Sequence, residues 1–512
     1  IDSSTGVISG IAKSASPSMI TAANVFNVTV TDANEEKSER SYSANVSKNR
    51  VKIMNVGNIL PDAYVAEQYK TVIEARYGTV PYVFSATNLP QGLSINTATG
   101  VISGIPTQKA DNIPVRVTVR QASGTDSWSH SITFILSIKD SDSILKIDMD
   151  SSDKGSSATI NANDLISYNN KDKEIIIETD RASYNLPVGT ISSDNVKNAF
   201  GPDVDFNDVE ISIDVLDSDE DKIKFVENVK ESGKFSIMVP PVDFNVTLKY
   251  NGKTVEIDKF NAYIERRILI PSDINPYSIS TAIVVEPDGS LKHVPTRIEY
   301  VNGQYYAVIK SRTNSTYVLI DMQVAFQDIE GHDAQASILN LARRLIVNGV
   351  SADLFDPEGL VTRAQFSTMI SRALGIAGIS DSVQFTDVQR DSWYYEYIMS
   401  ASAFNLVDGS RSKSFNPDGY VTVGQAAKTM DSSMTLTGNR LSVSLDEYNE
   451  YTDIYTDRDK ISQSVLLSMA RLKKAGIYFN YEDTETHANE FLTRAQAVMM
   501  IEQMLKASGL ID

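Results

Sequence analysis

The chain has 512 residues, 47 Lys and Arg against 66 Asp and Glu, a formal charge of −19, four histidines and no cysteine. The missing thiols exclude disulfides, thiolate metal sites and cysteine nucleophiles, and the acidic balance argues against nucleic acid as a main partner, because phosphate repels it. With 42% hydrophobic residues wholesale disorder is excluded, the length predicts about three to five domains, and no apolar run approaches the roughly 20 residues that span a bilayer.

The chain opens Ile1-Asp2-Ser3-Ser4-Thr5-Gly6-Val7-Ile8-Ser9-Gly10-Ile11, and a close copy returns at Ile95-Asn96-Thr97-Ala98-Thr99-Gly100-Val101-Ile102-Ser103-Gly104-Ile105. In the second copy a set of strand-like runs from Val51 precedes the phrase; in the first nothing does. Residue 1 is therefore expected to lie inside a repeat, with further chain upstream. Thr-Gly supplies a turn that tolerates positive φ, and Val-Ile a β-branched pair suited to a strand. Alternating runs follow at 25–30, 115–119 and 131–136. Short strands at turn-punctuated spacing predict all-β sandwiches. The phrase Leu89-Pro90-Gln91-Gly92-Leu93-Ser94-Ile95, with Thr99-Gly100-Val101-Ile102-Ser103-Gly104 behind it, resembles a bacterial Ig-like family found in tandem on surface proteins. The resemblance implies a partial Ig-like domain over 1–50 and a full sandwich over 51–140, acting as spacers or adhesive modules without catalytic residues.

Residues 141–322 read as mostly β, with a few helical pieces and room for two subdomains. Strand signals include Glu174-Ile175-Ile176-Ile177-Glu178 and Val246-Thr247-Leu248-Lys249-Tyr250, and Asn251-Gly252 and Asn302-Gly303 are hairpin turns. The stretch from Ala262 to Tyr317 resembles an adapter region that precedes wall-binding repeats in large surface proteins of Gram-positive bacteria. Asp217, Asp219 and Asp221 have the spacing of the first three ligands of a calcium loop, but Lys222 stands where that loop needs glycine and Asn228 where it needs a bidentate Glu. A solvated acidic turn is the better reading, so no cofactor is expected and calcium at this turn stays the one open metal candidate.

From Phe326 the apolar spacing becomes helical: Ile338, Leu341, Ala342 and Leu345 share a face, as do Phe366, Met369, Ile370 and Ala373. Three segments share a plan. Each opens on an aromatic-polar-Asp phrase, Phe326-Gln327-Asp328, Phe385-Thr386-Asp387 and Tyr451-Thr452-Asp453. Each closes on Thr-x-x-Gln before a second helix: Thr362 to Gln365, Thr422 to Gln425, Thr493 to Gln496. That is a capping box, in which the Thr hydroxyl takes an orphan N–H and the Gln reaches back to the Thr backbone. Between the helices, Asn348-Gly349 matches Asp408-Gly409, and Phe355-Asp356-Pro357 matches Phe415-Asn416-Pro417.

These motifs resemble the S-layer homology family, with three repeats at about 323–380, 381–445 and 446–512. The resemblance implies an all-α pseudo-threefold trimer within one chain. It also implies noncovalent attachment to secondary cell wall polysaccharide, often pyruvylated, in grooves between neighbouring repeats. Arg363 and Arg494 match the family's motif arginine, suited to gripping a sugar carboxylate bidentately. Trp393 matches a tryptophan that offers a platform for a sugar face, and Gly349 and Gly409 match the loop glycine that clears space for the ligand. Val423 replaces the arginine in repeat two, Asp333 stands in the tryptophan position of repeat one, and repeat three lacks both the Phe-x-Pro element and the tryptophan.

His130, His293, His332 and His487 show no zinc-site spacing, and no catalytic signature appears. The expected protein is a non-catalytic, extracellular, wall-anchored surface protein, without membrane insertion or nucleic acid, that displays its Ig-like domains outward. Two alternatives stay open: a self-associating S-layer or fibre subunit, and the anchoring tail of a secreted enzyme whose catalytic domain lies upstream.

Overall fold

A computed structural model of the chain describes residues 22–31, 37–46, 50–55, 59–78, 80–121, 128–140, 149–152, 154–167, 173–301, 303–378, 385–407, 413–477 and 484–512. The opening phrase at 1–11 and Gly409 lie outside them. The chain forms two compact units, residues 1–55 with 62–138, and residues 56–61 with 139–512.

In the first unit, Ala22–Thr31 pairs antiparallel with Lys37–Val46. The Ig-like part that follows is built on a four-stranded sheet in the order Ala63–Tyr64, Ser129–Lys139, Ala110–Gln121, Tyr82–Thr87. A three-stranded sheet accompanies it, ordered Tyr69–Val72, Val101–Gly104, Leu93–Ile95. Val115, Val117 and Val119 are buried on one strand and Phe134, Leu136 and Ile138 on its partner, the period-two pattern of half-buried strands. The Thr99-Gly100 turn needs its glycine: Gly100 has φ +71, and a Cβ there would stand 2.5 Å from the Ile73 carbonyl oxygen and 2.9 Å from the Phe84 ring.

The second unit begins with two sheets. The larger runs Met149–Ser152, Gly155–Asn161, Glu210–Asp217, Phe235–Tyr250, Thr316–Met322, Thr281–Val285, Leu291–Val294, with Lys253–Glu256 paired to the long central strand. The smaller runs Glu174–Glu178, Ala182–Pro187, Lys259–Ile270, Gln304–Thr313, Thr296–Val301. Both contribute to a single core, with Ile175, Leu186 and Ile268 from the smaller and Ile211, Val246 and Leu319 from the larger. Three helices decorate these strands: α1 (Ala162–Ser167), α2 (Ser193–Phe200) and α3 (Glu220–Gly233).

Inside that core lies a fully buried guanidinium. Arg266 is 0% exposed and donates through Nη2 to the Thr313 carbonyl (2.8 Å) and Asn314 Oδ1 (2.7 Å), and through Nη1 to the Ile264 carbonyl (3.1 Å). Its carbon centre lies 4.8 Å from the Tyr184 ring centroid and 5.1 Å from that of Tyr317. Carbonyl dipoles and ring faces thus take the place of a carboxylate partner.

Among the described residues, seven helices follow: α4 (Gln335–Arg343), α5 (Arg363–Ala373), α6 (Tyr395–Ala403), α7 (Val423–Leu436), α8 (Leu445–Thr452), α9 (Gln463–Lys474) and α10 (Arg494–Ala507). Ile338, Leu341, Ile370, Met430, Met469, Val498 and Ile501 share one core among them. Direct hydrogen bonds lock the helices to the sheets. Tyr263 Oη donates to the Leu374 carbonyl at 2.7 Å, Arg344 Nη1 donates to the Thr296 carbonyl at 2.8 Å, and Asp512 Oδ1 accepts from Ile298 N–H at 2.8 Å. Among the described residues no helix is long and apolar enough to cross a membrane.

Removing Arg266 leaves several buried acceptors without a donor. Arg266→Leu is therefore expected to destabilise the second unit by about 3 kcal/mol or more. Urea unfolding followed by tyrosine fluorescence measures the loss; an unchanged midpoint contradicts the role assigned to this arginine.

Candidate functional site

The three Thr-x-x-Gln motifs form full capping boxes. Thr362 Oγ1 accepts from Gln365 N–H at 3.2 Å while Gln365 Oε1 accepts from Thr362 N–H at 3.0 Å. Thr422 with Gln425 and Thr493 with Gln496 repeat the arrangement. A cap leaves other first-turn N–H groups without a partner inside the helix. Each helix finds those partners on the loop of another repeat. Arg363 and Ala364 N–H donate to Gly419 and Pro417, Val423 and Gly424 N–H to Glu490 and Ala488, and Arg494 and Ala495 N–H to Gly359 and Pro357, all between 2.7 and 2.9 Å. Antiparallel bridges run Leu360 to Thr493, Thr362 to Tyr420 and Thr422 to Phe491. The three helix starts are thus tied into a closed circle.

An aspartate pins each accepting loop. Asp328 accepts from Phe355 and Asp356 N–H (2.8 and 2.6 Å), and Asp387 from Phe415 and Asn416 N–H (2.7 Å each). Asp457 accepts from Thr486 N–H at 2.8 Å. This corrects the third opening phrase. Tyr455-Thr456-Asp457 is the structural counterpart, whereas Tyr451-Thr452-Asp453 falls on the end of α8 and its cap. The inserted helix carries a second Tyr-Thr-Asp, and the Asp457 bond to Thr486, with the pairing of Thr456 N–H to the Thr484 carbonyl as Thr386 pairs with Lys413, tells the two apart.

Partial burial works to raise the Asp328 and Asp387 carboxyls, but their N–H donors outweigh it, joined at Asp387 by the Ser414 hydroxyl, and both end below the ordinary carboxylate value. A lowered value stabilises the fold above the ordinary carboxylate pKa, and that contribution disappears as pH falls through the folded-state value.

The two motif arginines act across this circle. Arg363 Nε donates to the Phe415 carbonyl (2.7 Å) with its guanidinium 4.4 Å from the Phe415 ring. Arg494 Nε donates to the Phe355 carbonyl (2.9 Å), its Nη2 donates to the Asn348 carbonyl (2.7 Å), and its guanidinium lies 4.3 Å from the Phe355 ring. Burial holds the Arg494 pKa below its ordinary value, against the pull of Asp356 and Asp328. The Nε–Nη2 edge of Arg494, one of the edges a carboxylate could grip, is therefore taken by main-chain carbonyls. Where the arginine is missing its partner ring is missing too: Val423 N–H bonds to the loop of Thr486, the residue that stands in the place of Phe355 and Phe415.

Two equivalent grooves result. One, of about 190 Å³, brings together Arg494, Trp393 and Gly349 with Gln365, Thr368 and Arg372 of α5. The other, of about 230 Å³, pairs Arg363 and the Phe415 ring with Gln425, Lys428 and Ser432 of α7. Trp393 is 60% exposed at the entry to α6; Asp333 holds the matching place before α4, directly ahead of its cap Ala334. The space around Gly349 is filled by its own loop. A Cβ there would meet the Ser351 and Leu354 carbonyls at 2.5 Å and the Phe326 ring at 2.6 Å, so this glycine serves loop closure first. Arg372 and Lys428 escaped the sequence reading, although Gln365, Thr368, Met369 and Arg372 fall at i, i+3, i+4 and i+7 on one helix face. Among the described residues, each groove is lined by two cations and no acidic side chain.

The aspartates of the calcium-type spacing serve other purposes. Asp219 caps α3 by accepting from Lys222 N–H at 2.8 Å, Asp217 pairs with Arg181, and Asp221 sits in the first turn of α3. Helix formation from Glu220 removes the loop a calcium site would need, and among the described residues no three His, Asp or Glu side chains gather into a metal-holding group.

Residues 55–137 match the family described as "Putative Ig domain", and residues 325–367 and 384–427 the family described as "S-layer homology domain". The third repeat lies outside those two spans. Among curated proteins the chain is 25% identical over 341 residues to an amylopullulanase of Thermoanaerobacterium thermosulfurigenes, covering 66% of this chain and 16% of that protein. It is 28% identical to exoglucanase XynX of Acetivibrio thermocellus (37% of this chain, 17% of the relative) and 28% identical to the surface-layer 125 kDa protein of Lysinibacillus sphaericus (22% and 9%). The chain thus spans about a sixth, or less, of the length of these relatives. It carries S-layer homology repeats and an Ig-like domain, which place it at the cell surface or cell wall.

Two outcomes test the clamp. Arg494→Ala removes the donor to the buried Phe355 carbonyl and to the partly buried Asn348 carbonyl and is expected to cost about 2–4 kcal/mol, read as a lower unfolding midpoint; an unshifted midpoint contradicts it. Asp328→Asn with Asp387→Asn is expected to flatten the loss of stability on acidification below the ordinary carboxylate range. Parallel acid titrations of wild type and variant followed by circular dichroism check this, and identical acid midpoints contradict it.

Proposed function

We propose that this chain is a wall anchor: its S-layer homology repeats form a pseudo-threefold trimer that binds an anionic secondary wall polysaccharide in the grooves of Arg494 and Arg363. The carrying observation is the local charge. On a chain of formal charge −19, the described residues that line each groove include two cations and no acid, so an anionic polymer meets attraction from them that the overall field does not supply. Arg372 and Lys428 are the charges best placed for sugar-borne acids, with Arg494 and Arg363 fixing the groove walls. Trp393, exposed at the mouth of the first groove, stacks on a sugar face. Gly349 keeps its loop tight beside the ligand.

The Ig-like domains are carried outward by this anchor. A second reading, in which the chain is the wall-binding tail of a secreted enzyme, is favoured by relatives named as an amylopullulanase and an exoglucanase. Self-association into a surface layer is the alternative suggested by the surface-layer relatives. Both use the same anchor.

Cosedimentation with purified wall sacculi tests the proposal. Binding is expected to vanish when the secondary polymer is stripped from the sacculi, to weaken about tenfold in Trp393→Ala and in Lys428→Glu, and to fall with rising salt. Undiminished binding to stripped sacculi contradicts it.

A further inference from the structure

Beyond the two grooves, a cavity of about 590 Å³ opens where the sheets meet the first helical repeat. One wall comes from strand ends and turns, including Lys259 and Lys292; the other from Arg372, the turn after α5 that holds Ala377, and Tyr397 of α6. Two residues, Asn348 and Arg372, line both this cavity and the groove of Arg494. Arg372 Nη2 donates to Tyr397 Oη at 3.2 Å, its guanidinium lies 4.9 Å from the Tyr397 ring, and the suitably oriented Asn348 amide oxygen accepts from Arg372 Nη1 at 3.3 Å. A single arginine thus stands on the wall common to the two spaces.

Among the described residues the lining carries three cations, Lys259, Lys292 and Arg372, against two acids, Asp258 and Glu286. Lys292 reaches Glu286 (3.3 Å) and Glu396 (3.7 Å), which poises its ammonium across the junction. His293, also on the lining, is buried; its Nδ1 lies 2.9 Å from Thr281 Oγ1, while its Nε2 has no hydrogen-bond partner among the described residues. The hydrogen bonds from Tyr263 to Leu374 and from Arg344 to Thr296 fix the two walls relative to each other, so a ligand would find the cavity already formed.

We propose that this junction cavity is a second polysaccharide subsite, continuous with the groove of Arg494, which takes the next sugars of the same anionic polymer past Arg372. The proposal rests on the wall-polymer reading above. A polymer that fills both spaces gains from linkage, since the second contact is intramolecular once the first is made. The β-rich segment then belongs to the anchor as a binding element, with Lys259 and Lys292 as its cations and Tyr397 as its aromatic surface.

The test uses the full chain and oligosaccharides released from wall sacculi by mild acid and separated by length, with affinity read by titration calorimetry. Wild type is expected to bind the long fragments at least tenfold tighter than the shortest ones. Ala377→Trp, which fills the cavity away from the groove, and the double variant Lys259→Ala with Lys292→Ala, which keeps the backbone packing, are each expected to lower long-fragment affinity to the short-fragment value and to leave short-fragment affinity unchanged. Long-fragment binding equal to wild type in the double lysine variant overturns the junction subsite while leaving the wall-polymer reading intact. Failure of wild type to bind fragments of any length overturns that reading, and this subsite with it.

Discussion

The helical part of the molecule depends on a problem common to every helix, the unsatisfied N–H groups of the first turn. Here three helices solve it together. Each threonine cap closes its own box with glutamine, and the next two N–H groups reach carbonyls on the loop of another repeat. Those loops are held by Asp328, Asp387 and Asp457. The result is a ring of main-chain hydrogen bonds that tolerates side-chain variation, which explains how repeat three can lose its Phe-x-Pro element and still close the circle through Glu490 and Ala488.

The arginines sit on top of this ring. Each reaches a Phe carbonyl on the loop that its own helix start contacts and lies over the Phe ring. The pair is a unit: Val423 faces a repeat that has Thr486 where the others have Phe, so an arginine there would have no ring to cover. What reads as a lost binding residue is therefore also a lost structural partner. Because the arginines build the groove walls, Arg372 and Lys428 come forward as groove cations. Their position on an acidic chain makes local geometry, rather than net charge, the source of any attraction for an anionic polymer.

Much of this was legible in the sequence where the signal is local. The capping boxes are i to i+3 motifs, and all three fold as read. The alternation around Val115 and Val117 put a half-buried strand where one stands, and Asn251-Gly252 marked a hairpin whose strands pair as expected. The stripe from Gln365 to Arg372 is equally local, one face at helical spacing on α5. Other features need contacts distant in sequence. Nothing near Arg494 announces Phe355, and nothing near Arg266 announces the rings of Tyr184 and Tyr317 that receive it. The third opening phrase was misplaced because Tyr-Thr-Asp occurs twice within a few residues, and only its hydrogen-bond partner distinguishes one from the other. Within the calcium-type spacing, Asp219 serves as a helix cap, a role set by the local helix start at Glu220.

An anionic wall polymer is proposed to lie in the two grooves between neighbouring repeats, whose described linings carry cations and no acid. A crystal structure of the chain with an oligosaccharide released from wall sacculi tests it most directly. The account predicts sugar density against Trp393, Arg372 and Arg494, or in the equivalent groove of Arg363 and Lys428. Density confined to other surfaces, with both grooves empty at saturating ligand, would contradict it.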